Sequence, residues 1–197
     1  STVTMMLGLD LRAGCSNQKT ENNSDNGALI PIELGAGVNV ISRAVISTGS
    51  EVKAGIAGWV AASAPTYNEA PRWGGNNDSE IITTTANESA QSVSWTTQRY
   101  YAPDGKTTYM KAWSPAGTFS TGNTVSFTNT DGSVDVLLAP VVSGSKTAKV
   151  STPLAFEHMT SQIKFSVKKG EGLAEGTTIE SITIKDAQLP TGFDLTK

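Results

Sequence analysis

The chain has 197 residues, of which 38% are hydrophobic and 17% are charged, so it can bury a core and is not disordered as a whole. Its formal net charge of −3 and its pI of about 5.2 exclude a basic nucleic-acid-binding protein, and no apolar run is long enough to span a membrane. Abundant Thr, Ser and Gly favour many short strands over long helices. These properties predict an all-β fold.

The single cysteine, Cys15, follows an apolar start and precedes a polar tract. Two small residues stand directly before it, as in the lipobox of a bacterial lipoprotein signal, although Asp10 and Arg12 depart from that pattern. On this interpretation residues 1–14 are a truncated signal, residues 15–28 are a polar tether, and lipidated Cys15 contacts the membrane. Because its apolar residues alternate, the start also fits a β-strand, and an idle tail is the third interpretation.

From residue 29 onward, short apolar runs separated by turn residues predict the strands of a β-sandwich. The predicted strands are residues 29–34, 38–46, 51–61, 81–85, 92–101, 107–113, 124–128, 134–142, 154–167 and 177–184. Residues 35–37 are predicted to form a turn, residues 63–80 a surface loop, and two hairpins are predicted around residues 103–105 and 129–132. The inward-facing parity of residues 154–167 changes near Met159, which predicts a bulge or a helical turn there.

Residues that carry catalytic chemistry are few. His158 is the only histidine, so a catalytic triad would have to use it as the general base, together with Glu157 or a distant Asp. The alternative is a histidine that is hydrogen-bonded within the fold. One His and one Cys exclude a zinc site of His and Cys ligands, and residues 129–135 fit a hairpin turn better than a calcium loop. The sequence therefore predicts no enzymatic activity, no metal and no cofactor.

The aromatic residues offer a different candidate site. Four tryptophans and three nearby tyrosines have the composition of a sugar-stacking platform, although strand aromatics are more often core residues or cross-strand pairs. Trp73 lies in the glycine-rich loop, so it is predicted to be exposed and is the candidate ligand-contact aromatic. This residue supports an alternative function, a carbohydrate-binding surface lipoprotein.

The chain resembles a known family, through a succession of motifs that lies mostly in its second half. TYMKAWSPAG (residues 108–117) is followed by DVLLAP (residues 135–140), then by PLAFEHMTSQIKFSV and a TIESITIKDAQLPTGFDL tail. This succession resembles the fimbrillin family of Bacteroidales, surface lipoproteins that polymerise into pili or that cap and anchor them. The resemblance covers residues 29–197, and its most specific part is F-x-H-x-x-x-x-I-x-F, from Phe156 to Phe165.

The resemblance implies a transthyretin-like, antiparallel β-sandwich of Greek-key type. Residues 29–197 would form the N-terminal domain of a fimbrillin-like subunit, with the C-terminal domain missing. In polymerising family members, a lipidated precursor reaches the outer membrane and cell surface, where an arginine-specific protease removes the first strand. A strand of the next subunit fills the resulting groove. The implied partners are other fimbrial subunits, bound by strand exchange, and a host protein or glycan contacted in cell adhesion.

Arg43 fits this scheme as the site of proteolytic maturation. It follows the predicted strand residues 29–34 and 38–41, so cutting after it would release both. The alternative is a strand arginine that faces solvent. Arg72, in the loop, is a competing protease site, but a cut there does not follow from the release of the first strand.

Overall fold

The computed structural model describes residues 28–39, 46–74, 80–120 and 122–197. Within these ranges the chain forms strands and no helix, and hence no helix long and apolar enough to cross a membrane. The strands are β1 (Gly35–Val38), β2 (Glu51–Ala61), β3 (Ile81–Thr85), β4 (Gln91–Ser92), β5 (Ser94–Trp95), β6 (Thr107–Ser114), β7 (Thr118–Ser120), β8 (Thr124–Ser126), β9 (Leu137–Gly144), β10 (Leu154–His158) and β11 (Gly192–Asp194). The predicted all-β fold is confirmed.

Eight of these strands form one sheet, in the order β4-β1-β10-β9-β6-β2-β3-β5. Neighbouring strands are antiparallel, except that β1 and β10 are parallel. The two ends of this order, β4 and β5, are separated in the chain by Val93 alone. One extended segment therefore pairs with β1 on one side and with β3 on the other, and the sheet closes into a barrel-like layer. The remaining strands form a small sheet, β11-β8-β7.

Strand β2 is buried on both faces because the small sheet covers part of the barrel. Its even-numbered residues, including Val52 and Ile56, enter the inner core, whereas Ala57 and Trp59 belong to an outer cluster that contains Val125 of the small sheet. This division follows from the side-chain period of two in a strand. A strand that is covered on both faces needs a nearly continuous run of apolar or small residues, and β2 has one.

Two predicted hairpins do not form, because other strands occupy the edges that they would use. The turn at residues 103–105 forms, with Gly105 at a φ of 77°, but β6 pairs with β2 and β9 instead of closing a hairpin. The second predicted hairpin also does not form, because β8 pairs with β7 and β11.

The stretch after residue 153 is a strand only in its first part. Leu154 and Phe156 are fully buried on β10, as their shared parity predicts. Beyond His158 the chain makes an excursion, residues 160–191, that contains no strand before β11. The large apolar side chains of the excursion are 36–65% exposed. The strand predicted at residues 154–167 therefore forms only as far as His158, and the strand predicted at residues 177–184 does not form, since no strand of the described chain pairs with these residues.

Candidate functional site

The feature that stands out in this fold is a strand inserted between two others. Residues 30–39, here called the inserted segment, include β1 and lie between β10 and the stretch that contains β4. The predicted turn at residues 35–37 is wrong, because these residues form most of β1. Their small size explains the difference: a Cβ atom at Gly37 would lie only 3.3 Å from the carbonyl oxygen of Glu88, so a glycine lets the neighbouring backbone approach closely.

Backbone hydrogen bonds hold the inserted segment along both of its edges. On the β10 side, residues 36–38 pair in parallel with residues 154–156, and the Asn39 N–H donates to the Phe156 carbonyl at 3.0 Å. On the other side, β1 pairs with β4, and four more backbone bonds extend the contact. These are Tyr101 N to Ile30 O (3.0 Å), Ile32 N to Arg99 O (2.8 Å), Val93 N to Leu34 O (3.1 Å) and Val38 N to Asn87 O (2.9 Å).

The side chains of the inserted segment alternate between the core and the surface. Ile32, Leu34, Ala36 and Val38 are at most 7% exposed and all belong to the inner core, whereas Glu33 is exposed. Burying an Ile, Leu or Val side chain contributes about 1.5–3 kcal/mol. Without this segment, the barrel would have a groove lined by apolar side chains and by two rows of unpaired backbone groups, and both need a replacement strand.

Arg43 and Cys15 lie outside the described residues, and so do residues 40–45 as a whole. The described residues directly before and after residues 40–45 are nevertheless held by hydrogen bonds. Before these residues, Asn39 is bonded to β10, and after them, the Ile46 N–H donates to the carboxylate of Asp135 at 3.3 Å. Residues 40–45, which include Arg43, thus connect the inserted segment to the rest of the domain.

His158 is hydrogen-bonded within the fold, which is the second of the two interpretations considered for it. Its Nδ1 lies 2.9 Å from an Asp135 carboxylate oxygen, and the two side chains are 4% and 6% exposed. The Thr160 hydroxyl donates to the same oxygen at 3.3 Å. His158 Nε2 is buried and has no hydrogen-bond partner in the described chain, so no nucleophile is in place there for a catalytic triad. The cluster joins the chain at Ile46 to β10.

Trp73 is not exposed, and that prediction is wrong. Its ring is 7% exposed, belongs to the inner core and packs edge-on against Trp95 at a centroid distance of 5.8 Å. The backbone is the cause: the Gly58 N–H donates to the Trp73 carbonyl at 3.0 Å, which draws this part of the loop onto β2. The carbohydrate-binding alternative therefore loses the residue that supported it.

A partly buried lysine, Lys111, lies against Tyr67, which packs on the outer cluster. Lys111 donates from Nζ to the Leu195 carbonyl, and its Nζ lies 3.9 Å from the centre of the Tyr67 ring. Burial lowers the pKa of Lys111, against the opposite effect of the Asp194 carboxylate. Burial, followed by the nearby Tyr109, raises the pKa of Tyr67. These contacts fasten the chain that follows the excursion to β6 and have a structural role.

The described ranges contain no group of three or more His, Cys, Asp or Glu side chains that could hold a metal ion. The residues that sequence reasoning missed are those of the inserted segment between Gly35 and Val38. Their alternation from Ile32 to Val38 was present in the sequence, but the two glycines concealed it.

Comparison with known proteins agrees with this architecture. The family described as Fimbrillin-like matches residues 42–197, which is most of the chain. No curated protein and no solved structure matches the chain. The matched family is one of structural pilus subunits rather than of enzymes, which indicates a fimbrial component at the cell surface that associates with other fimbrial subunits. The chain belongs to the fimbrillin-like family.

Proposed function

We propose that the protein is a structural subunit or accessory component of surface fimbriae that assembles by β-strand addition and contributes to cell adhesion. In this proposal, a protease cuts after Arg43, the inserted segment leaves, and a strand of another subunit occupies the groove. The observation that carries the proposal is the inserted segment, whose four inward side chains are buried and whose connection to the domain contains Arg43.

The cut changes the inserted segment from an intramolecular to an intermolecular partner. While residues 40–45 are intact, the segment is covalently attached to the domain, so its effective concentration at the groove does not depend on the protein concentration. After the cut, its occupancy depends on its free concentration, so a strand from another subunit can replace it. The Asp135 contact to Ile46 would keep the new end of the domain in place during this exchange.

The same proposal includes an anchor and a further domain. Lipidation of Cys15, after removal of residues 1–14 as a signal, would attach the protein to the outer membrane, with residues 15–28 as the tether. Residues 29–197 would be the N-terminal domain of a longer subunit. The exposed side chains of Ile163 and Phe165, at 65% and 50%, support this, because alternating apolar residues of this kind are usually covered by another surface.

Cutting the purified chain with an arginine-specific protease is expected to convert monomers into polymers. Light scattering and electron microscopy would detect the polymers. The Arg43→Lys variant keeps the charge but resists the protease at this site, so it should remain monomeric. The Arg72→Lys variant is the matched control and should polymerise like the unmodified chain. Polymers of Arg43→Lys, or monomers after complete cutting at Arg43, would contradict strand exchange at this site.

A further inference from the structure

We propose that the groove vacated by the inserted segment selects its donor strand by side-chain size. The donor, a strand of another fimbrial subunit, would carry large apolar residues at the first two inward positions, alanine at the third and a β-branched residue at the fourth. A glycine would stand between the third and fourth. This inference rests on the proposed strand exchange and adds to it a rule for which strands can enter.

The third inward position is the most restrictive. Ala36 is fully buried in the inner core and lies opposite Leu154 in the β1–β10 register. Protein cores are packed at crystal-like density, so a larger side chain at this position would have to displace its neighbours. Such overpacking typically costs about 1–3 kcal/mol. A donor with leucine here is therefore expected to bind much more weakly than one with alanine.

The position after it is restricted from the opposite face. Gly37 is buried although it belongs to the outward set, because the backbone of residues 87–90 covers the face of the strand on which its Cβ would stand. A Cβ atom there would meet two carbonyl oxygens, those of Glu88 at 3.3 Å and Asn87 at 3.6 Å. Glu33, by contrast, faces solvent, so the groove places little constraint on the donor residue at that position.

The exposed apolar segment at residues 163–169 does not satisfy the rule. In the excursion, Ile163 and Phe165 suit the first two positions, but Val167 is large for the third and Lys169 would place a charge at the fourth. The fourth position is occupied by Val38, which is 1% exposed, and burying a lysine there without a partner is strongly unfavourable. Residues 163–169 of a second copy are therefore not the donor that the groove fits.

Synthetic peptides can test the rule with the full chain. A specific protease site placed within residues 40–45 allows the chain to be cut once, and fluorescent peptides are then added in excess. The peptide of residues 28–39 is expected to bind the cut chain and not the uncut chain, as measured by fluorescence anisotropy. The same peptide with Ala36→Leu should bind at least tenfold more weakly. The peptide with Glu33→Gln is the matched control and should bind within twofold of the unmodified one.

The outcomes separate this rule from the proposed function. If no peptide binds the cut chain at any concentration, strand exchange at this groove fails. If the Ala36→Leu peptide, or a peptide of residues 162–169, binds as tightly as that of residues 28–39, exchange stands and the size rule is overturned. Weak binding by both of these peptides, with tight binding by the Glu33→Gln peptide, supports the rule.

Discussion

Replacing Asp135 by alanine is expected to lower the free energy of unfolding by about 1–3 kcal/mol, the usual cost of leaving a buried hydrogen-bonding group without its partner. The Asp135 carboxylate accepts hydrogen bonds from the Ile46 N–H and the Thr160 hydroxyl and lies within hydrogen-bond distance of His158 Nδ1. Alanine would remove one hydrogen-bond partner from each of these three groups, including the imidazole of His158, whose side chain is only 4% exposed. Urea denaturation followed by tryptophan fluorescence would measure the change.

Asp131→Ala is the matched control for this substitution. Asp131 lies four residues earlier, is exposed, and accepts hydrogen bonds from Ser133 in its own turn. Its replacement is expected to change the free energy of unfolding by about 0.5 kcal/mol, as is usual for a surface position. A loss at Asp135 no larger than the loss at Asp131 would show that the cluster does not hold Ile46 against β10.

Gly58→Ala is expected to destabilise the domain by about 3 kcal/mol, the upper part of the usual range for overpacking. A Cβ atom at residue 58 would lie 2.3 Å from an atom of the Trp73 ring. The ring cannot easily move aside, because the backbones of the two residues are bonded to each other and the Arg72 N–H donates to the Gly58 carbonyl at 2.7 Å. Thermal unfolding followed by circular dichroism would measure the loss.

Gly170→Ala provides the comparison for the glycine substitution. Nothing lies within 4 Å of the added Cβ atom at this position of the excursion, so its midpoint of unfolding should stay close to that of the unmodified protein. If Gly58→Ala is as stable as Gly170→Ala, Trp73 does not pack over β2 as described. Near-ultraviolet circular dichroism of Gly58→Ala should also lose part of the tryptophan signal, since Trp73 would separate from Trp95.

The sequence predicts strands well where a short run of apolar or β-branched residues is bounded by turn residues. The bounds of β2 and β3 agree with the predicted residues 51–61 and 81–85, and β10 begins at the predicted Leu154. In β10 the buried residues alternate with exposed ones, whereas β2 has a nearly continuous run of apolar or small residues; both patterns are visible in the local sequence. The glycines in residues 35–37 instead favour a turn, because the sequence does not show that a neighbouring backbone approaches Gly37 closely.

Pairing between distant strands was beyond what the local pattern shows. Residues 36–38 pair with residues 154–156, more than a hundred positions away in the chain, and in parallel. The burial of Trp73 has the same origin, since it depends on a backbone contact between its loop and β2. The excursion shows the opposite case, in which a strand-like pattern forms no strand because no partner in the described chain is available.

In the assembled protein, we expect a strand of another subunit to replace the inserted segment. Intact mass spectrometry of polymers formed after the arginine-specific cut tests this replacement most directly. We expect protomers that begin at Ala44, with no stoichiometric fragment that contains residues 28–39. Polymers made of full-length protomers, or of cut protomers that retain this fragment in equal amount, would contradict it.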